Sequence, residues 1–163
     1  MRVITCPEVF YRRDGELSIF LAGGITGAPD WQKEVIERFD TQKFFINHPH
    51  LAQLYRRVAL INPRRSDFDC SKASSSIEQI EWEKRALDMV DMTFFWFPKE
   101  AMCHITMFEL GVAIGQMRTI RVGVEPGYCR ELDIKEQAGR HHSKKIYTTL
   151  DALYSLRSNN EQV

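Results

Sequence analysis

Residues 92–117 read MTFFWFPKEAMCHITMFELGVAIGQM, and they open with an apolar run, MTFFWF, that shows no polar alternation before Pro98. A strand of that kind is buried on both faces, as in a parallel sheet covered by helices on either side. Beyond Pro98 the pattern becomes helical from about His104 to Met117. Met107, Leu110, Ala113, Ile114 and Met117 fall on one face, with Phe108 and Val112 on others, so this helix reads as buried nearly all round. Its one acidic residue is Glu109, a side chain seldom buried without a partner.

The same alternation extends outward from this stretch. LSIFLA (17–22) is an apolar strand running into Gly23-Gly24, VALINP is a second strand stopped by Pro63, and TIRVGVE and a short KKIYT follow later. Helical patterns lie between them. GAPDWQKEVIERFD places Pro29 and Asp30 in its first turn and Trp31, Val35 and Phe39 on one face. SSSIEQIEWEKRALDMV opens with Ser76 three residues before Gln79, a capping-box spacing, and runs to about Val90. The stretch near 130–138 is irregular or helical, LDALYSL is a final helix, RSNNEQV is expected to fray, and residues 44–57 give no clear pattern.

Strands alternating with helices predict an α/β fold: a flavodoxin-like or Rossmann-like doubly wound, five-stranded parallel sheet of order 2-1-3-4-5, with helices on both faces. Ligands of such sheets bind beyond the carboxyl ends of the strands, which selects the loops 23–29, 63–75 and 98–106.

A chain of 163 residues suits a single domain. Its 22 basic and 22 acidic side chains give no support for a nucleic acid polymer or a membrane surface as partner. The apolar runs are too short to span a bilayer and the start lacks a signal-peptide pattern, so a cytoplasmic location is expected. Cys6, Cys70, Cys103 and Cys129 have no Cys-x-x-Cys spacing and read as free thiols. His48, His50 and the pair His141-His142 lack helical ligand spacing, so neither a metal nor another cofactor is expected.

Several residues admit two readings. Gly23 and Gly24 either bring backbone N–H groups to a ligand or simply permit a sharp turn. Glu83 interrupts a stripe of Ile80, Leu87 and Val90, either as a functional carboxylate or as an ion-pair partner. Glu109 either completes a capping box with Thr106 or performs chemistry beside the ligand-binding edge. Asp67 and Asp69 suit base or sugar contacts and equally suit turn chemistry. Arg64 and Arg65 suit a phosphate and are equally ordinary as exposed arginines after a proline, and Trp31 suits either a stacked base or the core.

IFLAGGITGAPDWQ, INPRRSDFD, QIEWEKRALDMVDMTFFWFP and above all ITMFELGVAIG, spanning about residues 18–117, resemble the nucleoside 2-deoxyribosyltransferase-like family. The resemblance implies that Glu109, in the ELG segment, is a nucleophile that attacks C1′ of a (deoxy)ribose, expels the nucleobase and leaves a glycosyl ester, resolved by a second base or by water. It implies a small-molecule nucleoside or nucleoside 5′-monophosphate as substrate and a homo-oligomer whose sites borrow residues from neighbouring subunits. Glu83 matches in position an acidic group of the preceding helix, aspartate in related transferases, that holds sugar hydroxyls or assists proton transfer. Gly23, Gly24, Arg64, Asp67, Asp69, Trp31, Cys103 and Thr106 are the expected substrate-binding residues. Two positions depart from the family pattern: Cys103 stands where transferases carry aspartate and related hydrolases serine, and Ile25 where an aromatic residue often lies beside the base. The competing reading is an inactive nucleotide-binding module on the same sheet, with Glu109 only capping.

Overall fold

Side chains along a strand alternate between faces, so strands apolar at every position must be covered twice. The computed structural model, which describes residues 1–66, 71–141 and 145–155, shows how. In chain order the elements are β1 (Arg2–Thr5), β2 (Glu16–Gly23), α1 (Trp31–Arg38), α2 (Thr41–Asn47), α3 (Pro49–Ala52), β3 (Arg57–Asn62), α4 (Ala73–Met89), β4 (Met92–Phe97), α5 (His104–Gly115), β5 (Ile120–Val124), α6 (Glu131–His141), β6 (Ile146–Tyr147) and α7 (Leu150–Ser155). The strands form one parallel sheet of order β1-β3-β2-β4-β5-β6.

Strands β3-β2-β4-β5-β6 reproduce the expected 2-1-3-4-5 order. The sheet nevertheless has six strands rather than five. The extra strand, β1, pairs with β3 in the register Arg2↔Ala59 to Thr5↔Asn62. Two layers cover the sheet. Phe20, Ala22, Phe95, Phe97, Val122 and Val124 pack against Ala86 of α4, Leu110 and Ala113 of α5, and Ile134 and Ala138 of α6. Leu17, Ile19, Leu21, Phe94 and Trp96 pack against Trp31 and Val35 of α1, Phe44 of α2 and Leu153 of α7. All six residues of β4 are buried.

Residues 44–57, without a clear pattern in sequence, contribute to α2 and α3. Asp40 caps α2, its Oδ1 accepting from Gln42 N and Lys43 N at 2.9 and 3.1 Å. Asp30 caps α1 by accepting from Lys33 N at 3.1 Å. Neither expected capping box forms. Helix α4 begins at Ala73, so Ser76 lies inside its first turn, and α5 begins at His104 with Cys103 at its N-cap, so Thr106 is already helical and 4% exposed. A Ser/Thr-x-x-Glu/Gln spacing satisfies N–H groups only at a helix start.

The α4 stripe is also rotated from expectation. Ile80 is 61% exposed, and the inward face carries Gln79, Glu83 and Ala86, three or four residues apart. Residues 67–70, among them Asp67, Asp69 and Cys70, lie outside the described residues, as do His142 and the RSNNEQV tail.

Gly23 closes β2 between the Trp31 indole and the backbone of Trp96. A Cβ there would stand 2.5 Å from Trp31 Cζ2 and 2.5 Å from the Trp96 carbonyl oxygen, a backbone atom that cannot swing aside. Gly23→Ala is therefore expected to cost roughly 1 to 3 kcal/mol in denaturant unfolding. An unchanged midpoint would show that the strand end can shift.

Candidate active site

The order of strands reverses at β2, whose neighbours β3 and β4 lie on opposite sides, and the loops leaving these three strands converge at the carboxyl edge. Arg64, just after β3, ties the second loop to the first. Its Nη2 donates to the carbonyls of Ile25 at 3.1 Å and Pro29 at 3.0 Å, with longer contacts to Gly24 and Ala28, and its Nε donates to Gln32 Oε1 at 3.0 Å. Asp30 lies 3.4 Å from the same Nε. Through Nε and Nη2 the guanidinium is thus a clamp on the glycine loop. Arg65 pairs with Glu78 on α4.

The first loop also touches the third. A Cβ on Gly24 would meet Ala101 Cβ and Cys103 Sγ, each at 2.9 Å. Gly23 and Gly24 are thus required by close approach of neighbouring atoms. Trp31 is 3% exposed and donates from Nε1 to the Gly24 carbonyl at 3.1 Å. Its ring faces are closed to a stacked base, and it supports the loop from beneath.

Cys103 sits at the junction of loop and helix in a left-handed conformation, φ +49°, a region costly for a residue with a Cβ. Its thiol is buried against Gly24 and approaches the Ala101 carbonyl at 3.6 Å. Burial pushes that thiol up to about 11, so it stays protonated and serves as a packing group between two loops. Tyr128 closes the same corner, donating from its hydroxyl to the Met102 carbonyl at 2.9 Å.

Two carboxylates stand out on the helical layer that α4 and α5 share. Glu109, the sixth residue of α5, and Glu83 on α4 are both half-buried. Burial raises the Glu109 carboxyl to about 8, and the charge of Glu83 pushes the same way. Burial also raises Glu83, while a hydrogen bond from Gln79 Nε2 to its Oε1 at 2.7 Å opposes the rise. Two like charges that repel in a poorly solvated place cannot both ionise at neutral pH, so the pair holds one proton there. That is the arrangement needed to have a nucleophile and an acid together.

The helix α5 is not buried all round, contrary to its sequence pattern. Ile105, Phe108 and Val112 are 68%, 71% and 41% exposed. Ile105 and Val112 lie four before and three after Glu109, so this apolar stripe borders the carboxylate. Two surface concavities, one between residues 7–10 and α4 and one between α5 and α6, include neither Glu83 nor Glu109 in their linings. Among the described residues, no group of three or more His, Cys, Asp or Glu side chains could hold a metal ion. No described helix is long and apolar enough to cross a membrane.

Sequence reasoning missed Gln79 as a site residue, because its spacing from Ser76 suggested a cap, and it missed the buried Cys6 that hydrogen-bonds to it. No local signal links residues so far apart in the chain. No curated protein matches the sequence. A family model described as nucleoside 2-deoxyribosyltransferase like matches residues 16–128, from the start of β2 through all three converging loops to Tyr128. With more than half of its length matched, including both helices that carry the carboxylate pair, the chain belongs to the nucleoside 2-deoxyribosyltransferase-like family.

Proposed function

We propose that the protein cleaves the N-glycosidic bond of a (deoxy)nucleoside or nucleoside 5′-monophosphate through a glycosyl ester on Glu109, and passes the sugar to another nucleobase or to water. Family membership supports a function related to glycosyl transfer. The observation that carries the specific reading is the repelling pair of half-buried carboxylates, Glu109 and Glu83.

At rest the single proton of the pair is held mainly by Glu109; in the reactive state it has passed to Glu83, leaving Glu109 as the carboxylate. The Glu109 carboxylate attacks C1′, and the C1′–N bond breaks with its electron pair leaving on the base. Glu83 gives its proton to that base, so the leaving group departs neutral. The ester then stands beside an ionised Glu83, which takes a proton from a water or from an acceptor base as that nucleophile attacks C1′. Glu109 is released and the pair returns to its starting state.

Mass spectrometry of the protein incubated with ribo- and deoxynucleosides and their 5′-monophosphates, with and without an acceptor base, tests this reading. Free base, or exchanged nucleosides, is the expected result. Binding without any product would favour the nucleotide-binding module instead.

The apolar stripe beside Glu109 supports a second copy of this chain as the wall that closes the site. Ile77 and Ile80, exposed on α4, lie on the helix that carries Glu83, and large exposed apolar side chains gathered near a site favour an interface. Sedimentation is expected to show a homo-oligomer that Phe108→Asp converts to a 19.0 kDa monomer, with turnover falling at least about tenfold as the pair becomes solvated. A wild-type monomer at micromolar concentration would refute this assembly.

A further inference from the structure

Helix α4 carries one polar side chain into the core a turn before Glu83. Gln79 is 8% exposed, and its amide meets three partners. Nε2 donates to the Pro63 carbonyl at 2.8 Å and to Glu83 Oε1 at 2.7 Å. Oε1 accepts from the Cys6 thiol at 3.0 Å. The carbonyl can only accept, and so can Glu83 when it is ionised, so the amide nitrogen must face them and the amide oxygen must find a donor. Cys6 is that donor. Burial pushes its thiol up to about 11, which keeps the S–H intact at neutral pH. The charged groups around it are Arg65, Glu83 and Glu78.

Cys6 arrives there by strand pairing. Beyond Thr5↔Asn62 the ladder continues for one more bond, Cys6 N to the Asn62 carbonyl at 3.1 Å. Pro63, the next residue on the β3 side, offers the carbonyl that Gln79 uses. Strand β1 lies before residue 16, where the family match begins, so the thiol comes from an edge strand outside the matched residues.

Resting on the glycosyl-transfer reading above, we infer that Gln79 is a positioning residue for Glu83 and that Cys6, at the end of the edge strand β1, locks it in orientation. The Cys6–Gln79–Glu83 chain engages Oε1 of Glu83 and leaves Oε2 to carry the proton. As the departing base nitrogen takes the C1′–N electron pair, that proton moves from Oε2 to the base. The Gln79 N–H then stabilises the carboxylate left behind, which makes Glu83 a stronger acid than burial alone would allow.

The test pairs a carboxyl-carbon NMR titration of Glu83 with the pH profile of base release, in the full chain and in three variants. Gln79→Met keeps the side-chain length and removes the donor. Glu83 is expected to titrate higher by about half a pH unit or more, the acidic limb of the profile to move up with it, and kcat to fall about 10- to 100-fold with KM within about threefold. Cys6→Ala should change the same quantities in the same directions but less, while Cys6→Ser, which retains a donor, should stay within about twofold of the parent. The Cys6 variants decide the matter if Gln79→Met fails to fold.

A Glu83 titration unmoved by losing the Gln79 or Cys6 donor overturns the positioning chain, and so does a Cys6→Ser protein as impaired as Cys6→Ala. The NMR readout needs no turnover. A shifted Glu83 in a protein that releases no base would therefore overturn the catalytic use and the glycosyl-transfer reading together, whereas an unshifted Glu83 in an active enzyme overturns the positioning chain alone.

Discussion

Glu109→Gln is expected to lower base release by at least about 1,000-fold while making the protein harder to unfold. The loss follows from chemistry: an amide of the same shape cannot form a glycosyl ester. The gain follows from the position of the carboxylate. Its pKa in the folded protein is about 8 against 4.5 for the ordinary side chain, through burial and the charge of Glu83. Between those two values the folded protein holds a proton that the unfolded chain releases, so stability falls as pH rises through this window, and the whole loss is present above pH 8. Ionised Glu109 then destabilises the fold by roughly 2 to 5 kcal/mol, the lower part of that range reflecting its partial exposure. Thermal melting at pH 9 should show the variant unfolding about 5 to 15 °C above the parent. At pH 4, where the parent carboxyl is protonated in both states, the two should melt within about 1 °C of each other. Equal melting at pH 9 would mean that Glu109 is better solvated than its surroundings indicate, and retained turnover would remove it as nucleophile.

Glu109 and Glu83 were both visible in the sequence because each breaks an apolar pattern, and a broken pattern is a local signal. The central strands were visible for the same reason: β2, β3 and β4 are apolar at nearly every position, which only a doubly covered sheet accommodates. Strand β1 was not, because RVIT is four residues long and mostly half-buried, and its place is set by pairing with β3 more than fifty residues later. The start of α5 at His104 was legible, but the two capping boxes were not real, because the Ser/Thr-x-x-Glu/Gln spacing of Ser76–Gln79 and Thr106–Glu109 also occurs inside helices. For α5, apolarity all round suggested burial on every side, yet Ile105, Phe108 and Val112 are exposed in this chain, because periodicity reports which side chains are apolar and not what packs on them. Arg64 shows the converse limit. A conspicuous cation in a loop suggested a ligand, yet backbone carbonyls of the neighbouring loop take its donors.

Base release by the wild-type protein should follow a bell-shaped pH profile whose alkaline limb lies near pH 8. Only the singly protonated pair offers a carboxylate nucleophile and a carboxylic acid at once, so kcat/KM rises as the first proton leaves and falls as the last one does. The last proton is the one that burial and the charge of Glu83 hold on the pair to about pH 8. The first is also held more firmly than by an ordinary carboxyl, because burial raises Glu83 too, against the hydrogen bond from Gln79. Glu83→Gln removes the acid and the repelling charge together. Its kcat should fall about 100- to 1,000-fold on ordinary nucleosides, and the bell should become a single rising limb, since activity now requires only that Glu109 ionise. That limb should lie below pH 8, because desolvation alone now opposes ionisation of Glu109. A glycoside whose leaving group departs without protonation should recover most of the lost rate in Glu83→Gln and none of it in Glu109→Gln. Were the bell to survive Glu83→Gln unchanged, the proton would have to come from elsewhere, and Glu83 would be left holding sugar hydroxyls as a permanent anion.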